Sequence, residues 1–295
     1  MTKKDRLDKL LVDRGLAETR RKAQAIIMAG LVFHGQERLD KPGRMIAVDL
    51  SLTVEKPLPY VGRGGLKIEE ALDVFEIDVS GRTCADIGSS TGGFTDCLLK
   101  RGAAKVFAVD VDIRQLDGRL CADPRVVTLE KNARFLEPGD FSETPSLVVM
   151  DVSFISVLKV MPALKRIFGD TIPVSEYPGG QNRGTGIVPS ILLSLIKPQF
   201  EASKGQIGKK GLVRDPAVHR DVLASIARGA ADLGYRLLGL MRCSTRGQKG
   251  NQEFFGLWTL GGESPTEEAV ASWIGAAVRE TPGASQIVPR KDVPV

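Results

Sequence analysis

The chain has 295 residues, of which 42% are hydrophobic and 26% charged, and its formal net charge is +5 with a pI near 9.0. This composition is that of a globular protein with room for one large and one small domain, and the mild positive charge favours a polyanionic partner. No run approaches the roughly 18 apolar residues of a membrane span, and no apolar segment follows the basic start of the chain, so we expect a cytoplasmic protein with no signal peptide and no membrane contact.

Two short helices are predicted at the front of the chain. In "RLDKLLVDRG", Leu7, Leu10 and Leu11 share one helical face, and the glycine is a plausible end for the helix. In "ETRRKAQAIIMAG", Thr19 is a good N-cap and the closing Gly30 a good C-terminal stop. A short strand and further β-like pieces are predicted from there to about Val54.

Cations crowd the first turn of the second helix. Arg20, Arg21 and Lys22 lie where the helix dipole already places positive charge, which is unfavourable for stability. A phosphate-binding surface explains this placement, since helix N-termini and cations both attract phosphate, and Lys9 and Arg14 add to the same small region. The alternative is a solvated run of charge with no partner.

The order of elements over roughly residues 5–60 resembles that of S4-like RNA-binding domains, and the predicted domain spans residues 1–60. The resemblance rests on "RLDKLLVDRGLAETRRKAQAIIMAGLVFHG", although His34 stands where a small polar residue is common. It implies a small α/β domain that binds RNA, here through the five basic residues named above.

Residues 61–81 are predicted to be a linker and the first helix of a second domain. The glycines of "VGRGGLKIEEAL" favour a mobile turn, and an amphipathic helix is predicted from Leu66 onward. Lys67 falls in the first turn of that helix, where a cation is again poorly placed, so it is a candidate functional residue. Arg63, in the turn, is a candidate RNA contact.

Residues 82–282 alternate strand and helix patterns. "TCADIG", "KVFAVDV", "RVVTLE" and "SLVVMDV" predict successive buried strands of a mostly parallel sheet. We therefore expect a doubly wound, Rossmann-like α/β domain whose ligand lies at the carboxyl ends of the strands. The tail, 283–295, is predicted to be disordered.

The stretch "DIGSSTGGFT" joins the first of these strands to a helix. It lacks the G-x-G-x-x-G of dinucleotide folds and the G-K-[ST] of phosphate loops, and an acid precedes its first glycine. An acid there suits a cationic ligand, and S-adenosylmethionine carries an ammonium and a sulfonium. The residues predicted to hold this cofactor are Asp86, Gly88, Ser89, Ser90, Gly92, Gly93 and Phe94.

Two further cofactor contacts are predicted at the next strand ends. Asp110 ends the second strand, where a carboxylate can accept both ribose hydroxyls, and Val111 follows it. Asn132 follows the third strand, where its amide could bond an adenine edge. For Asp110 alone, a helix cap or turn acid is the alternative.

"DIGSSTGGFT" matches the cofactor loop of FtsJ-like RNA 2′-O-methyltransferases, position by position. An S4-like domain in front of such a domain, with "GRGGLK" at the junction, resembles the TlyA family, whose members are ribosomal RNA methyltransferases also named hemolysins. The resemblance implies a mostly parallel sheet of seven strands, S-adenosylmethionine as cofactor, and ribosomal RNA or ribosomal subunits as partner. It implies methylation of a ribose 2′-hydroxyl, on cytidine, in 16S or 23S RNA or both.

The resemblance also implies a catalytic Lys-Asp-Lys-Glu tetrad. Its members here are Lys67, Asp151 at the end of "LVVMD", Lys197 in "LSLIKPQFE" and Glu253 in "KGNQEFFGLW". Lys197 is the candidate general base, oriented by Asp151, which also lies near the cofactor, while Lys67 and Glu253 would position the ribose; the sequence leaves open which member of the tetrad takes the proton. No metal is expected, since four cysteines lack C-x-x-C spacing and only two histidines are present.

Two more regions bear on RNA binding. Basic residues near the family's later loops could extend a phosphate-binding face or could simply be solvated; they are Lys209, Lys210, Arg242, Arg246 and Lys249. Residues 170–187 are richer in Gly and Pro than a simple connection and are predicted to be a flexible insertion near the active site.

Two other classes of function remain open. A membrane-lysing protein would agree with the hemolysin name, but the sequence lacks a secretion signal, a span and a long amphipathic hairpin. An RNA-binding protein without catalysis would keep the fold, but the complete tetrad argues against it.

Overall fold

The computed structural model describes residues 3–35, 37–55, 58–168, 172–173, 187–188, 191–247, 249–261 and 264–279. The chain divides into two compact units, Met1–Pro59 and Tyr60–Val295. The predicted tail, 283–295, and most of the predicted insertion, 170–187, lie outside the described residues.

The first unit contains two helices and short strands. Thr19 caps the second helix, since its hydroxyl accepts a hydrogen bond from the backbone N–H of Lys22 at 3.2 Å, as predicted. The elements are β1 (Lys4–Arg6), α1 (Leu7–Asp13), α2 (Arg20–Met28), β2 (Val32–His34), β3 (Glu37–Arg38), β4 (Met45–Ala47) and β5 (Thr53–Val54).

The core of the first unit is the predicted one. Leu7, Leu10 and Leu11 of α1 are buried against Ala23 and Ile27 of α2, and the short strands close over them. The sequence pattern therefore identified the packed face of α1.

The second unit is built on a seven-stranded sheet. Its strands are β6 (Thr83–Ile87), β7 (Lys105–Asp110), β8 (Val126–Glu130), β9 (Leu147–Met150), β12 (Ile191–Ile196), β13 (Tyr235–Arg242) and β14 (Phe254–Leu260), with a separate antiparallel pair, β10 (Ile172–Pro173) and β11 (Ile187–Val188). Its helices are α3 (Gly64–Val74), α4 (Gly93–Lys100), α5 (Gly118–Cys121), α6 (Met161–Phe168), α7 (Pro198–Glu201), α8 (Pro216–Asp232) and α9 (Glu267–Val278).

The strand order is β13-β14-β12-β9-β6-β7-β8, and only β14 runs antiparallel to its neighbours. The order reverses direction at β6, which is where a doubly wound sheet opens a crevice for a ligand. The predicted mostly parallel, Rossmann-like sheet is confirmed.

Helices cover both faces of the sheet. On β6, Ala85 and Ile87 pack in the cluster that includes α6, α8 and α9, whereas Cys84 packs in the cluster that includes α3 and α4. This alternation follows from the period of two along a strand and explains why the central strands read as continuous apolar runs.

Strand register brings four predicted site residues to one edge of the sheet. Met150 pairs with Ile87 and with Ser194, and Ile196 pairs with Phe254 on the antiparallel strand. The residues that follow β6, β9 and β12, and the residue that precedes β14, therefore lie at the same end.

The junction glycines differ from their prediction. The helix begins at Gly64 and not at Leu66, so two of the three glycines belong to its first turn. A Cβ on Gly65 would lie 2.3 Å from the Tyr60 ring, and one on Gly64 would lie 3.2 Å from the ring of Phe94. Close packing of α3, rather than freedom in a turn, explains these glycines.

Candidate active site

Asp86 lies at the carboxyl end of β6 and is fully buried. Its Oδ2 accepts hydrogen bonds from the backbone N–H of Thr95 at 2.9 Å and from the Thr95 hydroxyl at 2.7 Å, while Oδ1 has no partner among the described residues. The pKa of Asp86 is raised to about 7, chiefly by burial and also by the charges of Asp151 and Asp110, while the hydrogen bonds from Thr95 oppose the rise. Buried polar atoms are normally hydrogen-bonded, so a buried carboxylate oxygen without a partner indicates a ligand site.

The first glycine of the loop permits a close approach of two backbones. Gly88 has φ +86°, and a Cβ there would lie 2.5 Å from the carbonyl oxygen of Asp151. The neighbouring Ser89 is buried, and its hydroxyl has no partner among the described residues. Ser90, with φ +48°, donates its N–H to Asp110 at 2.8 Å, which ties the loop to the end of β7.

The later loop residues have structural reasons for their identity. A Cβ on Gly92, at φ +94°, would lie 2.2 Å from Leu120, and one on Gly93 would lie 3.0 Å from the backbone of α3. The Phe94 ring is buried, with its centroid 6.0 Å from that of Phe255. For these three residues only backbone groups remain to meet a cofactor.

The next two strand ends supply the other predicted contacts. Asp110 Oδ1 accepts from the N–H of Asp112 at 3.1 Å, so this carboxylate also organises its own turn. Val111 is 64% exposed, an unusual state for valine that leaves an apolar surface beside Asp110. The Asn132 side chain accepts from the N–H of Arg134 at 3.1 Å and caps a short 3₁₀ turn.

These features fit S-adenosylmethionine. The orphaned oxygen of Asp86, the hydroxyl of Ser89 and the carboxylate of Asp110 surround a loop that approaches closely through Gly88. Two carboxylates so close to the loop attract a ligand with positive charge and repel a pyrophosphate.

Lys67 and Glu253 form a buried ion pair. The Nζ of Lys67, on α3, donates to Glu253 Oε2 at 2.6 Å, and their side chains are 11% and 3% exposed. Gly247 lies over the carboxylate, since a Cβ there would be 2.3 Å from Glu253 Oε1. The two residues are 186 positions apart in the sequence, so the fold alone brings them together.

Lys197 and Asp151 form a second ion pair at the same edge. Lys197 Nζ lies 2.5 Å from Asp151 Oδ1 and donates to the hydroxyl of Ser153 at 2.9 Å. The ammonium also lies 5.8 Å from the centre of the Phe200 ring. Its position is therefore fixed from three sides, with Asp151 in the orienting place that the resemblance implies.

The two ion pairs are neighbours. Ile196 pairs with Phe254, so Lys197 and Glu253 are adjacent at the end of the same ladder. The buried thiol of Cys243 has its pKa raised by burial and then by the carboxylates of Glu253 and Asp151, with Lys67 opposing, so members of both pairs act on one group. All four tetrad candidates are thus brought together, each lysine with its own carboxylate.

This arrangement can hold a hydroxyl between two lysine side chains, each paired with a carboxylate. One lysine can stabilise an alkoxide while the other takes its proton, and the two carboxylates keep the site from repelling a cationic cofactor. Such a site suits the transfer of a group to an oxygen.

Sequence reasoning missed one conspicuous residue, Phe154. It is 90% exposed, has φ +64°, and its ring centroid lies 5.0 Å from that of Phe200. A large aromatic held in the left-handed region and turned to solvent is costly, and such strain clusters at functional sites. The only signal in the sequence was an aromatic three residues after Asp151.

The basic residues of the first unit differ in whether they already have an ion-pair or hydrogen-bond partner. Lys9 pairs with Asp5 at 2.6 Å, Lys22 pairs with Glu18, and the guanidinium of Arg14 donates to backbone carbonyls, one of them at 2.6 Å. These contacts are compatible with an RNA-facing surface but also explain the residues without one.

Arg20 has a structural partner. Its Nε donates to Asp8 at 3.0 Å, and the buried carboxylate of Asp8 also binds Arg6 and Gln24. Hydrogen bonding from Arg6 holds the pKa of Asp8 well below its usual range, against burial. Arg20 thus joins α2 to α1, which offsets its unfavourable place in the helix dipole.

Two of the predicted RNA contacts, Arg21 and Arg63, are exposed cations with no ion-pair or hydrogen-bond partner within the described ranges. They are the members of the set whose charge is free to meet a phosphate.

Comparison with known proteins identifies both units. Residues 60–258 match the FtsJ-like methyltransferase family, and residues 5–49 match the S4 domain. The chain is 46% identical over 276 residues to the provisionally named rRNA methyltransferase YqxC of Bacillus subtilis, covering 90% of this chain and 92% of the other. It is 42% identical over 261 residues to the 16S/23S rRNA (cytidine-2′-O)-methyltransferase TlyA of Mycobacterium tuberculosis, covering 88% and 90%.

A solved structure agrees with this assignment. A candidate hemolysin from Streptococcus thermophilus superposes with a TM-score of 0.67 at 38% identity, covering 94% of this chain and 96% of the other. Within the part of the chain that the structure describes, no helix is both long and apolar enough to cross a membrane.

Proposed function

The chain belongs to the FtsJ-like methyltransferases and, with its S4 domain, to the TlyA family, and from this premise we propose that it transfers a methyl group to a ribose 2′-hydroxyl of ribosomal RNA. The acceptor is a cytidine, in 16S RNA, 23S RNA or both. The observation that carries the proposal is the pair of adjacent ion pairs, Lys67–Glu253 and Lys197–Asp151, at the edge of the sheet where the glycine loop ends.

The cofactor is S-adenosylmethionine, which when bound supplies a methyl group activated by its sulfonium. Asp86 Oδ1 and the Ser89 hydroxyl, which are buried and have no hydrogen-bond partner among the described residues, would hold its polar end. Asp110 would accept the ribose hydroxyls, and Val111, exposed beside it, would lie against the adenine.

The residues of this chain act on the acceptor hydroxyl, which is a weak nucleophile until it loses its proton. Lys197, held by Asp151 and Ser153, accepts that proton in its neutral form and passes it to solvent. The ammonium of Lys67 stabilises the charge that develops on the oxygen, and Glu253 keeps Lys67 in place. Preorganisation by buried partners means that little rearrangement is needed at the moment of reaction.

RNA binding is shared between the units. The S4 domain, with Arg21 exposed on α2, and Arg63 at the start of α3 would contact phosphates and set the register of the substrate. Phe154, exposed beside Phe200 and Lys197, offers a flat apolar surface on which the acceptor base could stack.

The test is transfer of labelled methyl groups from S-adenosylmethionine to 30S and 50S subunits from a strain that lacks the modification. The RNA is then digested to nucleosides and analysed by mass spectrometry. Label on the ribose of cytidine supports the proposal. Label on a base, or none on either subunit while the protein binds the cofactor, would contradict it.

A further inference from the structure

A cavity of about 370 Å³ opens between the start of α8 and the turn that joins β13 to β14. Among the described residues that line it there are four cations and no carboxylate. The cations are Arg214, Arg242, Arg246 and Lys249, and His219 lies with them.

Three of these cations are free of ion pairs. Arg214, Arg246 and Lys249 have no carboxylate partner within the described ranges. Elsewhere in the same unit, exposed arginines such as Arg119 and Arg125 are each paired with an aspartate two residues earlier. Unpaired like charges around one cavity repel each other, so binding of an anion there is favoured.

The walls of the cavity are fixed by buried amides. Asn251 accepts from the N–H of Val213 at 2.9 Å and donates to the carbonyl of Gly211 at 2.9 Å. Gln252 donates to the carbonyl of Cys243 at 2.8 Å. Both amide side chains are less than 5% exposed, so the cavity is preformed.

His219 adds a different chemistry. Its Nε2 lies 3.1 Å from the carbonyl oxygen of Val213, and because a carbonyl only accepts, Nε2 carries the proton and Nδ1 the lone pair. Burial, and the neighbouring Arg242 and Arg246, hold the pKa of His219 below its usual value, which keeps the ring neutral. Nδ1 has no hydrogen-bond partner in the described part of the chain and can accept from a hydroxyl.

The cavity thus offers cations that can bind a phosphate and a lone pair that can accept from a hydroxyl, and a ribose phosphate carries both groups. A phosphodiester has no proton to donate to Nδ1, whereas the ribose hydroxyl beside it has one. The start of α8, whose first turn includes Pro216 and His219, adds the positive end of a 17-residue helix.

The cavity also lies beside the tetrad. Gln252 lines it, and the next residue, Glu253, makes the ion pair with Lys67. Adjacent residues of one segment therefore contribute to the cavity and to the tetrad.

We propose that this cavity binds a ribose phosphate of the RNA backbone next to the methylated nucleotide. The proposal rests on the proposed function and adds to it a site in the catalytic unit, separate from the S4 domain, that sets which nucleotide reaches the tetrad.

The test compares two double variants. Arg214→Ala with Lys249→Ala removes two free cations of the cavity, and Arg220→Ala with Arg228→Ala removes two exposed cations of α8 that do not line it. Binding of a fluorescent 12-nucleotide single-stranded RNA is measured between 50 and 200 mM salt. Each phosphate contact on a single strand contributes about 0.7 to the slope of log K against log salt, so the cavity variant, which loses one bound phosphate, should lose about 0.7 in slope and bind about 5-fold more weakly in 0.1 M salt.

The control variant should keep the wild-type slope. Equal slopes for wild type and the cavity variant, in protein that still transfers methyl groups to ribosomal RNA, would overturn the cavity proposal alone. Wild-type protein that transfers no methyl group would instead overturn the proposed function. The conservative variant Arg214→Lys with Lys249→Arg should restore RNA affinity, which separates lost charge from lost folding.

A competition arm distinguishes the two sources of phosphate. At constant ionic strength, cytidine 3′-monophosphate should displace the RNA from wild-type protein at lower concentration than inorganic phosphate does, and the cavity variant should lose this difference. Equal displacement by both would show a general anion site and would contradict the proposal.

Discussion

Removing either member of the Lys67–Glu253 pair should destabilise the second unit by a large and measurable amount. Lys67 is 9% exposed and Glu253 is 2% exposed, so neither charge can turn to water when its partner is removed. Breaking a buried pair from one side costs about 3–5 kcal/mol of unfolding free energy. We expect this loss for Lys67→Met and for Glu253→Gln, each close in volume to the natural residue.

The double variant should behave differently. With both charges gone, no buried charge is left unpaired, and the pair as a whole contributes little or even costs stability relative to neutral residues. The double variant should therefore be more stable than either single variant, with a coupling energy of at least about 3 kcal/mol. It should nevertheless lose at least about 100-fold in methyl transfer, since the cation that stabilises the oxyanion is absent.

Urea unfolding followed by tryptophan fluorescence measures this directly. The chain has two tryptophans, and Trp258 and Trp273 are both buried in the second unit, so the signal reports that unit alone. Single variants that lose less than about 1 kcal/mol, or a double variant whose loss equals the sum of the singles, would refute the reasoning.

Three further predictions follow from the geometry. The pKa of Asp86 is raised to about 7, so between about pH 4 and 7 this side chain binds more protons in the folded protein than in the unfolded chain. Its contribution to the free energy of unfolding therefore falls as the pH rises through that window. Cofactor affinity, measured by calorimetry, should rise up to about pH 7 and then level off, because the ionised carboxylate binds the cationic ligand. A flat profile, or one unchanged in Asp86→Asn, would contradict this. Phe154→Ala should raise KM for ribosomal subunits while leaving thermal stability unchanged or higher, since a strained exposed residue is removed; a lower Tm would point to a structural role. Arg20→Ala should destabilise the first unit, as hydrogen exchange would show, whereas Arg21→Ala should weaken RNA binding alone. Equal effects of the two variants would contradict a structural role for Arg20 and an RNA-binding role for Arg21.

The fold was predictable because its signals are local. Continuous apolar runs at β6, β7 and β9 identify buried parallel strands, and the glycine loop between β6 and α4 fixes the place of the ligand. The strand ends then place Asp86, Asp110 and Asp151 at one edge without any knowledge of side-chain contacts.

The charge partners were not predictable from local pattern. Arg20 is satisfied by Asp8, twelve residues earlier on another helix, and Lys67 by Glu253, 186 residues later. Such pairs depend on tertiary packing, and only the family resemblance indicated the second one. Three basic residues in a row therefore look equivalent in the sequence, yet the fold leaves only Arg21 without a partner in the described residues.

The glycines of the junction illustrate a second limit. Glycine in a sequence indicates either backbone freedom or the absence of room for a side chain, and pattern alone favours the first. In the structure, Gly65 faces the Tyr60 ring inside a helix, so the second reason applies. The same ambiguity holds for Gly92, whose positive φ and contact with Leu120 give both reasons at once.

The most direct test of the account is the single-turnover rate of methyl transfer to unmethylated subunits, measured with saturating S-adenosylmethionine for wild type and for Lys197→Met. The account predicts a loss of at least about 100-fold in rate, with cofactor affinity within a few-fold of wild type, since Lys197 contacts Asp151 and Ser153 and not the glycine loop. A variant that transfers methyl groups at the wild-type rate would contradict it.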